Sequence, residues 1–312
     1  MTANLRETAA RLLAEGTVQL VLGWERGTSP LRTTPLFARA PGDAERLVYD
    51  PTCDHNLSGY LGRLKEGRVA LVARPCEARA LVEQVRENRI ARDRVLAIGL
   101  PCSGMISRRA LASRLADRVI REGRLAGDRL VVAGDGWQEE FPWAEVRDPA
   151  CQGCRLPDPG IYWLAPEASA PPEGDRFARL EARSLLSPER RREEFRQAAE
   201  RCISCYACRQ ACPLCDCAEC FTDRAAPALL GPTADPSEAM LFHLVRAMHL
   251  AGRCVDCGAC ARACPVGVDL RHLHLALERE GAERFDHRPG VDPAARPLVG
   301  SFRPEDREEF IL

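Results

Sequence analysis

The sequence of 312 residues lacks several features that would point to common protein classes. No run of about 18 apolar residues occurs, so we expect no membrane-spanning helix. The N-terminal segment MTANLRETAARLLAEG is polar and amphipathic and has no apolar core of a signal peptide, which predicts a cytoplasmic protein. Basic and acidic residues number 44 and 45, and this balance argues against a nucleic-acid-binding protein.

Signatures of several enzyme classes are also missing. The sequence contains no P-loop, no G-x-G-x-x-G fingerprint after a strand and no evident Ser/His/Asp constellation. Lysine is nearly absent, since Lys65 is the one lysine and arginine supplies the other basic residues. Cysteine is abundant instead, with 16 residues in close groups. Cysteines this close together are poorly placed for several disulfides but well placed to bind metal, which indicates thiolate ligands in a reducing compartment.

The N-terminal half, residues 1–165, is predicted to be an α/β domain with parallel strands. Buried strands are expected at 67–74 and 94–100 from their β-branched and aliphatic content, with a helix at 77–88 between them. A strand–helix–strand unit of this kind makes the two strands parallel. Further helices are expected at 4–15 and 107–122, and further strands at 18–24 and 129–134.

The C-terminal half is predicted to be a second, α-helical domain over residues 187–280. A Pro-, Ala- and Gly-rich stretch within residues 166–186 predicts a linker before it. Helices are expected to begin at Ser187-Pro188 and at Asp235-Pro236, each a capping residue followed by proline. Residues 281–312 form a tail that is either a frayed terminus or a docking segment. The predicted apolar face of the second helix consists of Met240, Leu241, Leu244, Val245 and Met248.

Two motifs in the second domain carry the strongest functional signal. Residues 202–213 and 254–265 both read C-x2-C-x2-C-x3-C-P, the run that holds [4Fe-4S] clusters in bacterial ferredoxins. Three cysteines of each run face one cluster, while the fourth lies beyond a turn and ligates the other cluster. The expected ligand sets are Cys202, Cys205, Cys208 and Cys264 for one cluster, and Cys254, Cys257, Cys260 and Cys212 for the other. Structural zinc is the alternative, although zinc sites usually use two well-separated C-x2-C pairs.

The two motifs are separated by about 40 residues that contain a predicted helix. In this respect residues 187–280 resemble the α-helical dicluster ferredoxins of heterodisulfide reductase and succinate dehydrogenase subunits. A cluster whose four irons all carry thiolate has no site for substrate and shuttles single electrons. The eight motif cysteines therefore point to electron transfer.

Four further cysteines are expected to meet at one edge of the N-terminal sheet. Cys76 follows one predicted buried strand and Cys102 follows the next, so both belong at the carboxyl edge where α/β folds build their sites. Cys151 and Cys154 form a C-x2-C pair further along the chain. Together the four can complete a third [4Fe-4S] site. The alternative is that Cys76 and Cys102 are ordinary small buried residues.

The N-terminal half also resembles a known family. VALVARPCEARALVEQVRENRIARDRVLAIGLPCSGM, followed by CQGC, is similar to the beta subunits of coenzyme F420-dependent hydrogenases and dehydrogenases, over about residues 15–165. The resemblance implies an FAD site and partners such as a hydrogenase or formate dehydrogenase subunit, or a flavoprotein of the heterodisulfide-reductase type. Arg74 and Arg79 flank Cys76 and would meet an anionic cofactor or substrate; the alternative is that they are ordinary solvated charges.

Four cysteines remain without a clear role: Cys53, Cys215, Cys217 and Cys220. They are spare thiols, redox-active thiols or ligands of a fourth cluster. From the whole sequence we expect an electron-transfer iron–sulfur subunit of a cytoplasmic oxidoreductase complex in anaerobic-type metabolism. One alternative is a flavin-containing subunit that exchanges hydride with deazaflavin or NAD(P)H. The other is a non-catalytic interaction module held together by zinc.

Overall fold

The computed structural model describes residues 2–64, 67–116, 118–154, 159–165, 175–231 and 233–300. Much of the predicted linker, residues 166–174, and the last part of the predicted tail, residues 301–312, lie outside the described residues. The strands are β1 (Leu20–Arg26), β2 (Thr33–Ala38), β3 (Val69–Ala73), β4 (Val95–Gly99), β5 (Glu122–Ala126), β6 (Arg129–Gly134) and β7 (Trp137–Pro142). The α-helices are α1 (Thr2–Ala14), α2 (Pro75–Arg86), α3 (Arg108–Leu115), α4 (Trp143–Val146), α5 (Pro149–Gln152), α6 (Ala178–Ser184), α7 (Pro188–Arg201), α8 (Ala207–Gln210), α9 (Pro236–His249), α10 (Ala259–Ala263) and α11 (Arg271–Phe285).

The N-terminal domain is built on a mixed sheet with the strand order β2-β1-β3-β4. Strand β1 is antiparallel to β2 and parallel to β3, and β3 is parallel to β4 with Val69 opposite Val95. Helix α2 connects β3 to β4, so the predicted strand–helix–strand unit is confirmed. Every residue of β3 and β4 is buried, as expected for parallel strands covered on both faces.

The region after β4 departs from the predicted helix at 107–122. Helix α3 ends at Leu115, and Ala116 adopts a left-handed φ of 50° that an α-helix does not allow. The chain then enters the antiparallel sheet β5-β6-β7, in which Leu130 and Val132 of the predicted strand pack against Leu111 and Leu115. Backbone pairing of β5 with β6 therefore outweighs the local helical pattern of this segment.

The C-terminal half is largely helical, as predicted. Helix α7 begins after Ser187, whose hydroxyl accepts a hydrogen bond from the amide of Arg190, and α9 begins after Asp235, whose carboxylate accepts one from the amide of Ser237. Helix α6 lies within the range predicted as a linker. Among the described helices, not one combines the length and apolar character that a membrane span requires.

Part of the C-terminal tail docks on the N-terminal domain. The amide of Gly290 donates a hydrogen bond to the Glu83 carboxylate on α2, and Arg86 donates to the carbonyl of Ala295. The imidazole of His287 is buried and contacts the carbonyl of Gly252. Of the two alternatives for the tail, the docking segment is the one that residues 286–298 fit.

Candidate metal centre

All 16 cysteines lie in the described part of the chain and are free thiols. Within that part, no three His, Cys, Asp or Glu side chains lie close enough together to hold a single metal ion. A four-iron cube places its thiolates farther apart than a single ion does, because each thiolate binds a different iron atom. We therefore describe the cysteines as groups whose sulfur atoms face one another.

The first group joins cysteines of both ferredoxin-type runs. Burial raises the pKa of the Cys208 thiol to about 12; the Arg246 guanidinium opposes this rise, and the Cys202 and Cys264 sulfurs add to it. Cys202 in turn lies within electrostatic range of Cys264 and Cys205. Cys202 and Cys264 also pack on the same small apolar cluster. The fourth cysteine of the second run thus lies with the first three cysteines of the first run.

The second group is the reciprocal arrangement. Cys254, Cys257, Cys260 and Cys212 line one cavity. Burial raises the pKa of the Cys257 thiol to about 12, and the adjacent Cys212 sulfur adds to this rise. The four cysteines are partly buried, and a metal that takes them as thiolates must displace their protons.

The loops that carry the two runs share one backbone conformation. Ser204 and Asp256, each two residues after the first cysteine of a run, have left-handed φ values of 51° and 45°. Tyr206 and Gly258, each directly after the second cysteine, have φ values of 55° and 72°. Left-handed backbone is unfavourable for non-glycine residues and persists where the surroundings impose it, typically at functional sites. The repeated pattern marks both loops as built for the same task.

The third group lies at the carboxyl edge of the parallel strands. Cys76 stands in the first turn of α2 directly after β3, and Cys102 follows β4. Burial raises the pKa of Cys102; among its neighbours Arg74 lowers that pKa and the Cys154 sulfur raises it. Burial raises the pKa of Cys76 and of Cys151, which lies on α5, and the nearby Cys102 sulfur adds to both rises. The structure thus brings together the four cysteines predicted to meet here.

The two arginines predicted at this edge are both buried, so the alternative of solvated charges is wrong. Arg74 stacks on Trp24 and forms a 2.5 Å ion pair with Glu77, and its remaining contacts include the carbonyl of His55. The guanidinium of Arg79 points at the third group, with its Nη2 3.7 Å from the Cys154 sulfur. Arg79 thus reaches a thiol of the third group.

Buried arginines between the groups test whether iron–sulfur clusters fit these residues. Both terminal nitrogens of Arg262 and the Nε of Arg246 are buried and make no hydrogen bond with the described residues. Arg262 lies within electrostatic range of Cys257 and Cys151, and Arg246 within range of Cys260. The Asp148 carboxylate lies 3.6 Å from Nη1 of Arg262, beyond hydrogen-bond distance. Buried N–H groups without a close acceptor are costly. Anionic clusters would supply sulfur acceptors for these groups, so the residues present fit such clusters.

The three groups form a continuous row. Cys208 of the first group lies within electrostatic range of Cys260 of the second, and Cys257 of the second within range of Cys76 of the third. Gly258 allows the close approach of the second and third groups, because a Cβ at this residue would lie 2.5 Å from the Cβ of Ala150. The second group therefore stands in the middle of the row.

The four cysteines without a predicted grouping separate into two places. Cys53 is fully buried in the N-terminal core, with its sulfur 3.8 Å from the carbonyl oxygen of Val48. Cys215, Cys217 and Cys220 line a cleft of about 360 Å³ between the two halves of the chain. Cys53 does not line that cleft.

A second cleft, of about 690 Å³, opens beside the third group. Cys102, Tyr49, Arg26 and Arg124 line it together with Arg74. Sequence reasoning missed Tyr49, Arg26 and Arg124 because they come from separate segments that meet only in the folded chain. It also missed Arg246 and Arg262, which no local pattern distinguishes from the many other arginines.

The chain resembles known proteins over nearly its whole length, although no protein-family model matches it. The chain is 24% identical over 353 residues to the beta subunit of F420-dependent formate dehydrogenase from Methanocaldococcus jannaschii, covering 94% of this chain and 92% of that protein. It is also 24% identical over 361 residues to the beta subunit of formate dehydrogenase 1 from Methanococcus maripaludis, with the same coverage. The chain is a distant relative of these beta subunits.

The similarity to the formate dehydrogenase beta subunits takes in both the sheet domain and the cysteine-rich half, since it covers 94% of the chain. Among solved structures, a chain of the F420-reducing [NiFe] hydrogenase complex from Methanosarcina barkeri matches 48% of this chain and 58% of its own length. The sequence identity of that match is 16% and its TM-score is 0.38.

Proposed function

We propose that the chain is the electron-transfer iron–sulfur subunit of a cytoplasmic multi-subunit oxidoreductase. The observation that carries the proposal is the continuous row of three cysteine groups, with buried arginines between them. A single row that runs from the C-terminal half to the edge of the sheet suits the relay of electrons between two partner sites. The distant relationship to beta subunits of F420-dependent formate dehydrogenases favours a formate dehydrogenase, hydrogenase or heterodisulfide reductase-type complex.

In this proposal each cysteine group holds one [4Fe-4S] cluster, which supplies one-electron storage when bound. The ligand sets are Cys202, Cys205, Cys208 and Cys264; Cys254, Cys257, Cys260 and Cys212; and Cys76, Cys102, Cys151 and Cys154. The chain contributes partial burial of most of these cysteines, and the cationic side chains Arg246, Arg262 and Arg79, which would stabilise the negative charge of a reduced cluster.

A second candidate function is favoured by the cleft of about 690 Å³ beside Cys102. Clefts at the carboxyl ends of parallel strands are the usual ligand sites of α/β folds. The cationic side chains of Arg26, Arg74 and Arg124 at this cleft suit an anionic dinucleotide such as FAD. The chain would then be a flavin-containing subunit in which a hydride from deazaflavin or NAD(P)H yields two electrons that enter the row singly.

Metal and flavin analysis of one anaerobically purified sample tests both proposals. We expect at least about 12 iron atoms and as many labile sulfides per chain, four for each cluster of the row. About 8 would remove the third group from the row, and a colourless protein with zinc in place of iron would overturn the relay in favour of the zinc-bound interaction module. Flavin near one per chain would put the hydride-exchanging subunit ahead of the simple relay.

A further inference from the structure

The cleft of about 360 Å³ between the two halves of the chain is lined by three thiols that the row of three groups does not use. Its N-terminal wall includes Gly59, Arg63 and Arg89, and its C-terminal wall includes the loop from Cys212 to Asp223. The cleft is open to solvent on one side, where Cys217 is exposed.

Three cysteines of this loop line the cleft. Cys215, Cys217 and Cys220 stand within six residues in the spacing C-x-C-x2-C, on backbone without helix or strand. Cys212 also lines the cleft, but it belongs to the cavity of the second group, where it faces Cys254. The set left for the cleft is therefore three thiols, all free.

Ion pairs from both halves of the chain hold this loop. The Asp216 carboxylate lies 3.2 Å from Arg253 and 3.6 Å from Arg89 of the N-terminal domain. Asp223, near the other end of the loop, pairs with Arg209 at 2.7 Å. A loop fixed at both ends presents its side chains with little loss of conformational freedom on binding, as a preorganised site requires.

A buried cation also lines the cleft. Arg246 is 6% exposed, and its Nε makes no hydrogen bond with the described residues. Its guanidinium lies within electrostatic range of Cys215 as well as of Cys212. Arg246 therefore stands between the second group and the cleft, and its charge faces the thiols of both.

We propose that Cys215, Cys217 and Cys220 bind a further [4Fe-4S] cluster, in which three irons carry these thiolates and the fourth iron faces the open cleft. The proposal rests on the relay proposed above, because it extends the same row. Cys215 lies against Cys212 of the second group. The additional cluster would therefore lie beside the middle of the row and connect the row to the protein surface. It gives electrons an exit to a docked partner beside the second group.

The test compares the iron content of the whole chain with that of the variant Cys215→Ala/Cys217→Ala/Cys220→Ala. We expect about 16 iron atoms per chain in the unchanged protein and about 12 in the variant, which would lose one cluster. Cys53→Ala is the matched control, since it removes another free cysteine that lies in the apolar core, and its iron content should equal that of the unchanged protein. The single variant Cys217→Ala, which alters an exposed side chain, replaces the triple variant if the latter does not fold.

A spectroscopic signature separates this cluster from the others. Ferricyanide takes one electron from a [4Fe-4S]²⁺ cluster, and the resulting [4Fe-4S]³⁺ cluster with an open iron releases Fe²⁺ to leave [3Fe-4S]⁺. Brief oxidation of the unchanged protein should therefore give the [3Fe-4S] EPR signal, and the triple variant should not give it.

Two results overturn the inference in distinguishable ways. About 12 iron atoms in both the unchanged protein and the triple variant would remove the cleft cluster and leave the three-group relay intact. Zinc in place of iron in the unchanged protein would remove the relay itself and the cleft cluster with it. Loss of iron in Cys53→Ala, with none lost in the triple variant, would also contradict the assignment of the cleft thiols.

Discussion

At the scale of single residues, buried arginines distinguish the row of cysteine groups from an ordinary protein core. Arg246, Arg262 and Arg271 are largely buried among the cysteines of the C-terminal half. A guanidinium stays charged when buried, whereas a buried lysine readily loses its proton. Positive charge that cannot be lost favours the reduced, more negative state of a neighbouring cluster.

Replacement of Arg246 by leucine should lower the reduction potential of the adjacent clusters. A unit charge roughly 8 Å away contributes on the order of 2 kcal/mol at an effective dielectric constant of 20. We therefore expect a fall on the order of 50–100 mV, measured by EPR-monitored redox titration. Arg246→Lys is the comparison variant and should give only part of this fall, because a buried lysine holds its proton less firmly than an arginine does. An unchanged potential in Arg246→Leu would show that this cation does not act on the clusters.

Replacement of Cys257 by alanine should break the row at its centre. The variant is expected to lose about 4 iron atoms and to keep the other clusters. Because the second group stands between the first and the third, electrons supplied at one end should no longer reach the other on the timescale of turnover. Rapid-mixing reduction, followed at visible wavelengths, measures this transfer. Fast, complete reduction of all remaining clusters in the variant would contradict the central position of the second group.

At the scale of elements, helix α9 shows where reasoning from an apolar pattern fails. The sequence pattern predicted an apolar face that includes Leu241, Leu244 and Met248, yet these three side chains are exposed. The buried face instead carries His243 and Arg246. Ala239, Phe242 and Ala247 are buried on the same helix. The helix thus turns a mixed apolar and polar face inward, on which the charge of Arg246 faces the thiols of Cys260 and Cys212.

The tail segment that docks on α2 provides a test at the same scale. Gly290 has a φ of 69°, and a Cβ there would lie 2.5 Å from the carbonyl oxygen of Arg79. Gly290→Ala should therefore lower the free energy of unfolding by about 1–3 kcal/mol or more and release the segment. Thermal unfolding and hydrogen exchange of residues 286–298 measure the two effects.

The matched control for this prediction is Gly136→Ala. Gly136 has a similar φ of 76°, but a Cβ there would meet no atom within 4 Å. It should cost only the backbone strain, about 1 kcal/mol, and leave exchange in the tail unchanged. Equal behaviour of the two variants would mean that the close approach of the tail to Arg79 does not hold it in place.

At the scale of the whole molecule, the sequence predicts the two halves well and the interface between them poorly. Parallel strands β3 and β4, and helices that begin at Pro188 and Pro236, follow from local composition and capping. Cysteine spacing likewise predicts groups that the structure brings together. The interdomain cleft, the buried arginines and the docked tail depend on contacts between residues far apart in sequence, which no local pattern encodes.

Part of the site was predictable only as a choice between alternatives. The carboxyl edge of the sheet was predicted from strand order, and Cys76 and Cys102 do lie there. The separation of Cys53 from Cys215 could not be predicted in this way, because it depends on how the two halves of the chain pack against each other. Burial of Arg74 and Arg79 was missed for a related reason: Arg74 pairs with Glu77 of its own segment, but the groups that cover the two arginines, such as the Cys53 carbonyl and the Cys154 thiol, lie on other segments.

The account rests on a continuous row of clusters, and the EPR spectrum of the dithionite-reduced chain tests it most directly. Each reduced [4Fe-4S] cluster contributes one unpaired spin, and neighbouring clusters split each other's signals. We predict at least about three spins per chain with mutual splitting, and loss of that splitting in Cys257→Ala. An EPR-silent protein, or isolated unsplit signals in the unchanged chain, would contradict the relay.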